Sequence, residues 1–368
     1  MSLISVWTPT AATAASITVN PGDSIQAAVD AAAPGDTVKV MPGDYTETHA
    51  GAAAVRITKP LKLIAKSKLP AVKVRLLPDG GNPLQTQGIL VEPATPGDPD
   101  IDGLKIQGFT VEGFQKNGIW LRHVNNFTIQ KNESINNLEN GIWPTLSANG
   151  QVKKNVSYGS EDSALWVEAS ENVRILNNDL HDSPTGLEIT VSKNILAKKN
   201  DVHHNTVGIG LYHPNAAGLP PLGGDGYWSI VGNHVHDNNL VNSAPPGSMS
   251  AGLPPGAGIL LLGVDHVTIS KNQVENNGFL GIGVVDWCVG AALAGPSFDC
   301  TTNPPLVESA PDNNLVEKND LASNGLTPPT GFEAFAADIS LLGLGTGNCF
   351  NKNTPAATVF PPGPLPGC

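Results

Sequence analysis

The chain has little positive charge, no C-x-x-C pair and no run of 18 apolar residues. Its 21 Lys and Arg stand against 33 Asp and Glu, a formal net charge of −12 at pH 7. That balance argues against nucleic acid and anionic lipid as partners, and against a polyanionic substrate unless a local basic groove overrides it. Without a C-x-x-C pair, thiolate metal sites and thioredoxin chemistry find no support. Without a long apolar run, no transmembrane segment is expected.

What is abundant narrows the class further. The chain holds 40 Gly, 31 Pro and 33 Asn in 368 residues. Asn and Gly at this level are poor for helices, which excludes an all-α fold. Hydrophobic residues make up 40%, and Gly brings the total to about half, typical of a packed globular protein. The length suits one large domain or two ordinary ones.

Four cysteines lie late and in two local pairs, Cys288 with Cys300 and Cys349 with Cys368. Each pair brackets a Gly/Pro-rich loop, which reads as two stapling disulfides formed in an oxidising compartment. Residues 1–16 end in an A-x-A-like run and read as a signal-peptide remnant or appended residues. A secreted or periplasmic protein is expected.

Internal repetition is the strongest signal. Alternating apolar residues ending in Asn recur as FTIQKN (127–132), GQVKKN (150–155), VRILNN (173–178), ILAKKN (195–200), WSIVGN (228–233), VTISKN (267–272), NLVEKN (314–319) and NCFNKN (348–353). A second motif precedes it, from GIWL (118–121), GIWP (141–144) and ALWV (164–167) to GIGL (208–211), GILL (258–261) and GIGV (281–284). The regular spacing of 22–24 residues, lengthened by Gly/Pro-rich insertions, leaves room for short strands and corners but no helix. Such units bury their apolar faces only by stacking. The Asn before each corner then falls in register with its neighbours, and a second partial row follows at Asn137, Asn205, Asn238, Asn277 and Asn324. These read as structural amide ladders.

The expected organisation is all-β: a cap and first coil over 17–58, a parallel β-helix over 59–353, and a Pro-rich tail over 354–368 with no strand pattern. Asp23-Ser24 begins a short helix whose face of Ile25, Ala28, Val29 and Ala32 would cover the open end of the core. The segment SIQAAVDAAAPGDTVKVMPGDYTE (24–47) and the coil motifs resemble right-handed parallel β-helix proteins of the pectin-lyase-like superfamily. Within it, PPGAGILLLG (254–263), GIGVVD (281–286) and the tail GNCFNKNTPAATVFPPGPLPGC (347–368) are similar to secreted bacterial repeat proteins. The resemblance implies a fold more than an activity.

Alternation sets which residues face outward. In GIWL the Ile and Leu point inward, so Trp120, Trp143 and Trp166 form an outward row on three consecutive coils, spaced about 4.8 Å apart. The plainer reading is that a terminal segment or second subunit covers them, so an oligomer through this face is open. The sharper reading is a stacking platform for sugar rings. The Trp row continues into Glu188, and the next outward row holds Arg122, Thr145, Glu168, Thr190 and Tyr212. Glu168 and Glu188 are then diagonal neighbours about 8 Å apart between Cβ atoms. A carboxyl pair of that kind suits glycoside hydrolysis, and Tyr212 with His213 suits acid–base chemistry in a lyase or epimerase. Taken singly, each of these is also an ordinary solvated face residue.

Insertions at 213–227, 240–257, 286–312 and 325–337 flank this face and build walls, with Asp286 at the root of one as a further substrate-binding candidate. The expected result is a trough for an extended chain. Tyr212-His213-Pro214-Asn215 distantly resembles the Asp-Pro-His motif of alginate epimerases, without its Asp. The Gly-His-Gly pattern of polygalacturonases and the Arg-rich motif of calcium-dependent pectate lyases are absent.

His181, His203 and His236 form a third row, preceded by Asp179, Asp201 and His234 two residues earlier. Stacked imidazoles suggest copper or zinc, although a straight ladder converges poorly on one ion. The leading expectation is a carbohydrate-active protein binding, and cleaving or modifying, a polysaccharide. The alternatives are a non-catalytic surface module for glycan or protein, and a periplasmic copper- or zinc-handling protein. No cofactor is required by the sequence; calcium, copper or zinc stay open.

Overall fold

The computed structural model describes residues 14–67, 72–212, 226–295, 300–302, 304–305, 308–354 and 358–368. Among these, the chain winds into three parallel sheets of 12, 11 and 10 strands, most coils adding one short strand to each. The pairing is in the expected register. On the 11-stranded sheet Trp120 lies beside Trp143, Trp166 beside Glu188, Glu188 beside Gly210, and Gly210 beside Leu260. Inward residues of successive coils, such as Ile119, Ile142, Leu165, Leu187 and Ile209, stack into one continuous buried core.

The glycine that opens the second motif has a steric cause. A Cβ at Gly141 would stand 2.5 Å from the carbonyl oxygen of Ala164 on the next coil, closer than carbon and oxygen can approach. Only a residue without a side chain allows that packing.

The Asn ladder holds the corners. Lys131, Lys154, Lys199, Lys271, Lys318 and Lys352 sit just before it with φ between 53° and 57°. This left-handed conformation costs a non-glycine residue roughly 1–2 kcal/mol. The amide that follows offsets it. Asn178 Oδ1 accepts from the backbone N–H and the side-chain Nδ2 of Asn155, both at 3.0 Å, while its own Nδ2 donates to Val152 O and Asn200 Oδ1. The pattern repeats from Asn132 through Asn155, Asn178, Asn200, Asn233, Asn272 and Asn319 to Asn353. The second row runs unbroken from Asn205 to Asn324. Asn137 stands apart from it, and hydroxyls fill the gap: Ser160 N–H donates to Ser183 Oγ, and Ser183 N–H to Asn205 Oδ1.

Helix α1, Ile25–Ala31, buries Ile25, Ala28 and Val29 over the N-terminal end. Ser24 caps it through Ala27 N–H, and Glu47 accepts from both Ser24 Oγ and Ile25 N–H at 2.6 Å. At the other end Cys349 is bonded to Cys368, and Phe350 N–H donates to Pro366 O, folding the tail across the last coil. The tail carries a strand where none was expected: Val359–Phe360 pairs with Ile339 and Ser340 at the sheet edge. Two residues are too short a run for alternation to show.

A second departure lies in the 286–312 insertion, expected as an irregular wall. It begins with a helix, α2, Trp287–Ala294, capped by Asp286. Cys288 on this helix is bonded to Cys300. Among the described residues no helix is long and apolar enough to cross a membrane.

Candidate active site

Outward residues of the 11-stranded sheet form the floor of a cavity of about 490 Å³. One end is lined by Trp120, Trp143, Trp166, Arg122, Glu168 and Glu188. The other is lined by Leu260, Leu262, Leu280, Val285 and Leu342. Helix α2 contributes Trp287, Gly290, Ala291, Leu293 and Ala294 to the wall, and the insertions add Leu253 and Phe332. The change along the floor follows the outward rows coil by coil, from Trp and Glu to Leu and Val.

The three indoles stack on one another, with centroids 4.7 Å and 4.8 Å apart and planes within 3°. The expected outward row at coil spacing is present, as a self-stacked ladder. Coil spacing matches ring-stacking distance, so each indole covers its neighbour's face and the row turns its edges to the cavity. The Arg122 guanidinium lies 5.0 Å from the centroid of Trp120, and also faces Glu92 at 3.6 Å on the preceding coil. Among the described residues, the far face of Trp166, towards Glu188, carries no further ring of the stack. Trp166 Nε1 donates to Thr190 Oγ1 at 2.8 Å.

The carboxyls are buried rather than solvated. Glu168 is 6% exposed and Glu188 7%. Burial raises Glu168 to about 7, against a hydrogen bond from Thr145 Oγ1 at 3.2 Å that favours its charged form. The Trp143 indole N–H lowers it further in the same sense, although that N–H reaches no acceptor of full hydrogen-bond geometry. Glu188 is pushed well above the usual carboxylate range, first by burial and then by the charges of Asp162 and Glu168; Ser163 Oγ donates to it at 2.5 Å. Burial also raises Tyr212 well above the usual phenol value, so it holds its proton, and its hydroxyl is buried without a hydrogen-bond partner among the described residues.

The expected residues are brought together unevenly. Trp120, Trp143, Trp166, Arg122, Glu168, Glu188 and Tyr212 share the cavity. His213 lies outside the described residues, as do Pro214 and Asn215. Asp286, expected in the groove, is buried and engaged elsewhere: Oδ1 accepts from Cys288 and Val289 N–H, and Oδ2 from Ser309 Oγ. Two further acids belong to the site. Asp162, hydrogen-bonded by Ser250 Oγ, is raised by burial, and Glu139 is one coil before it. Their signal was present in the repeat, because 139 and 162 are 23 residues apart and each precedes the Trp strand.

The histidine row lies on the 10-stranded sheet. His181, His203 and His236 stack at 4.9 Å and 5.1 Å, each against an aspartate: Asp182, Asp179 and Asp201 respectively. The row itself is a stack and not a converging ligand set.

Residues 94–219 match the family model described as a right handed beta helix region. No protein of curated function matches the sequence. Among solved structures, the A-module of a mannuronan C-5 epimerase of Azotobacter vinelandii aligns over 92% of this chain and 95% of its own, at 15% identity and a TM-score of 0.61. DFA-IIIase of Arthrobacter chlorophenolicus A6 without its lid, in complex with GF2, aligns over 94% and 92% at 15% identity and 0.60. The Dettilon tailspike protein aligns over 94% and 60% at 16% identity and 0.56. The chain has the right-handed parallel β-helix fold.

Proposed function

We propose that the protein is a carbohydrate-active enzyme of an oxidising, extracytoplasmic compartment that cleaves glycosidic bonds by acid–base chemistry in this cavity. The observation that carries the reading is the buried carboxyl pair beside the indole row, with Glu168 titrating near neutrality. Two carboxyls whose environments differ can divide the roles of acid and base. Glu188, held protonated, donates its proton to the glycosidic oxygen as the bond to the anomeric carbon breaks. Glu168, ionised at and above neutral pH, takes a proton from the water that attacks that carbon. Tyr212 keeps its proton and is a hydrogen-bond donor to a sugar oxygen. The cavity is the size of a small-molecule site, so it takes the end of a chain or a short oligosaccharide. The fold neighbours that act on mannuronan or were solved with GF2 support the substrate class, and two disulfides support the compartment.

The test is a panel of neutral and acidic oligosaccharides and polysaccharides, followed by reducing-end release and by absorbance of unsaturated uronates. Release by the wild type and its loss in Glu168→Gln is the expected outcome. A folded wild type without turnover on any glycan would overturn the catalytic reading. Binding alone would leave a glycan-binding module, which the largely apolar lining favours.

A further inference from the structure

We propose a zinc(II) site on the 10-stranded sheet, made by Asp201, His234 and His236. Asp201 opens the strand Asp201–His203, and His234 and His236 lie on the outward face of the paired strand of the next coil. One carboxylate oxygen of Asp201 stands 3.3 Å from His234 Nδ1 and 3.1 Å from His236 Nε2. Two ligand atoms on a tetrahedral ion with bonds near 2.0–2.1 Å lie about 3.4 Å apart. The two Asp201–histidine spacings thus match two edges of a zinc tetrahedron, and the two histidine nitrogens lie within 4.8 Å of each other. Among the described residues this is the group of His, Cys, Asp and Glu atoms that converges in this way, all within 4.8 Å of one another.

The outer nitrogens supply a second, independent observation. His234 Nε2 meets Glu275 Oε1 at 2.9 Å, and His236 Nδ1 meets Asp237 Oδ2 at 2.8 Å. Each imidazole therefore lies between two carboxylates. A neutral imidazole has one N–H and one lone pair. If the N–H bonds the outer carboxylate, the lone pair is left facing Asp201, which is repulsive unless a cation stands between them. A carboxylate behind a ligating histidine is also the usual arrangement that fixes its tautomer and raises its basicity. Two nitrogens and one oxygen with a position left for water suit zinc better than calcium, which takes six to eight oxygens.

Such an ion would bridge two consecutive coils, the first before and the second after the insertion at 213–227. Its effect would be to hold the coils together where the chain leaves the repeat. His203 and His181 further along the row are outside the set, since His203 faces Asp179 and His204 and His181 faces Asp182.

The experiment uses tag-free, chelator-treated full chain titrated with zinc(II) by calorimetry, with cobalt(II) absorption as a spectroscopic probe. One ion per chain, a tetrahedral cobalt spectrum and a rise in Tm with zinc are expected. His236→Ala and Asp201→Asn should lose binding by at least ten-fold, and Glu275→Gln should weaken it about ten-fold. His181→Ala should bind as the wild type. Far-UV circular dichroism reports folding of each variant, and Asp201 is exposed, so Asp201→Asn serves if His236→Ala fails to fold. Substoichiometric zinc, zinc binding unchanged in both ligand variants, or a preference for calcium would each overturn the site.

Discussion

Trp166 stands opposite Glu188 in the parallel register, so the aromatic row ends against a buried carboxyl on the next coil. Stacking occupies the inner faces of Trp120, Trp143 and Trp166. Under the proposed function, a sugar ring would meet indole edges along the row and a ring face beside Glu188. The first prediction follows from that position. Trp166→Ala should weaken oligosaccharide binding at least ten-fold, equivalent to about 1.4 kcal/mol. Titration calorimetry on an oligosaccharide identified by the panel measures it, and unchanged affinity would remove the row from the binding site.

The roles proposed for the two carboxyls predict a split between turnover and affinity. Glu168→Gln keeps the shape of the side chain and removes its titration. It should lower kcat about a hundred-fold while leaving binding near the wild-type value. The wild-type rate should rise with pH through about 7, because the base must be ionised. A flat profile between pH 6 and 8 would assign the base elsewhere.

The same group makes stability fall as pH rises. Its folded value of about 7 lies above its unfolded value. The protonated form is favoured by folding, so the full contribution is present at pH below the unfolded value and is lost as pH rises through 7. The shift corresponds to roughly 3 kcal/mol. Denaturation of wild type and Glu168→Gln at pH 4 and pH 8 should show that the variant loses less stability over that interval.

In the amide ladder, Asn178→Ala should be costly. It would strip acceptors from Asn155 N–H and Nδ2 and a donor from Val152 O, all buried. Unsatisfied buried groups cost about 1–3 kcal/mol each, so a loss of at least about 3 kcal/mol in chemical denaturation is expected. A loss below 1 kcal/mol would mean the corner is held by other contacts.

For the disulfides, alkylation of denatured, unreduced protein should add no label, since both bonds are formed and no free cysteine is present. Breaking Cys349–Cys368, which spans 19 residues, should cost about 3 kcal/mol in the chain-entropy picture and release the tail. Limited proteolysis of Cys368→Ser compared with wild type would show it.

Repetition is what made so much of the fold legible. The Asn after each Lys corner, the Gly before each inward Ile and the outward Trp every 23 residues are positions at which stacking fixes a side chain's neighbour one repeat away. Glu139 and Asp162 obey the same spacing and were accessible to the same reasoning. Asp286 was not, because a carboxylate before WCVGAALA is a helix cap only if that segment turns helical, and the repeat carries no information about its own insertions. The protonation of Glu168 and Glu188 was also hidden. Alternation places both side chains on the outside of the coil, where a carboxylate is ordinarily solvated and ionised.

The sequence by itself determined the coil, its register, the two amide rows and the indole row, since each depends on contacts between the same positions of successive repeats, and the two disulfide pairings, since each closes a short local loop. Tertiary structure alone decided what covers the outward face. Helix α2 and the insertions converge on it from residues more than a hundred positions away from Trp120, at separations no period describes. Their cover removes water from Glu168, Glu188 and Tyr212, and desolvation turns surface residues into titratable groups of a cavity.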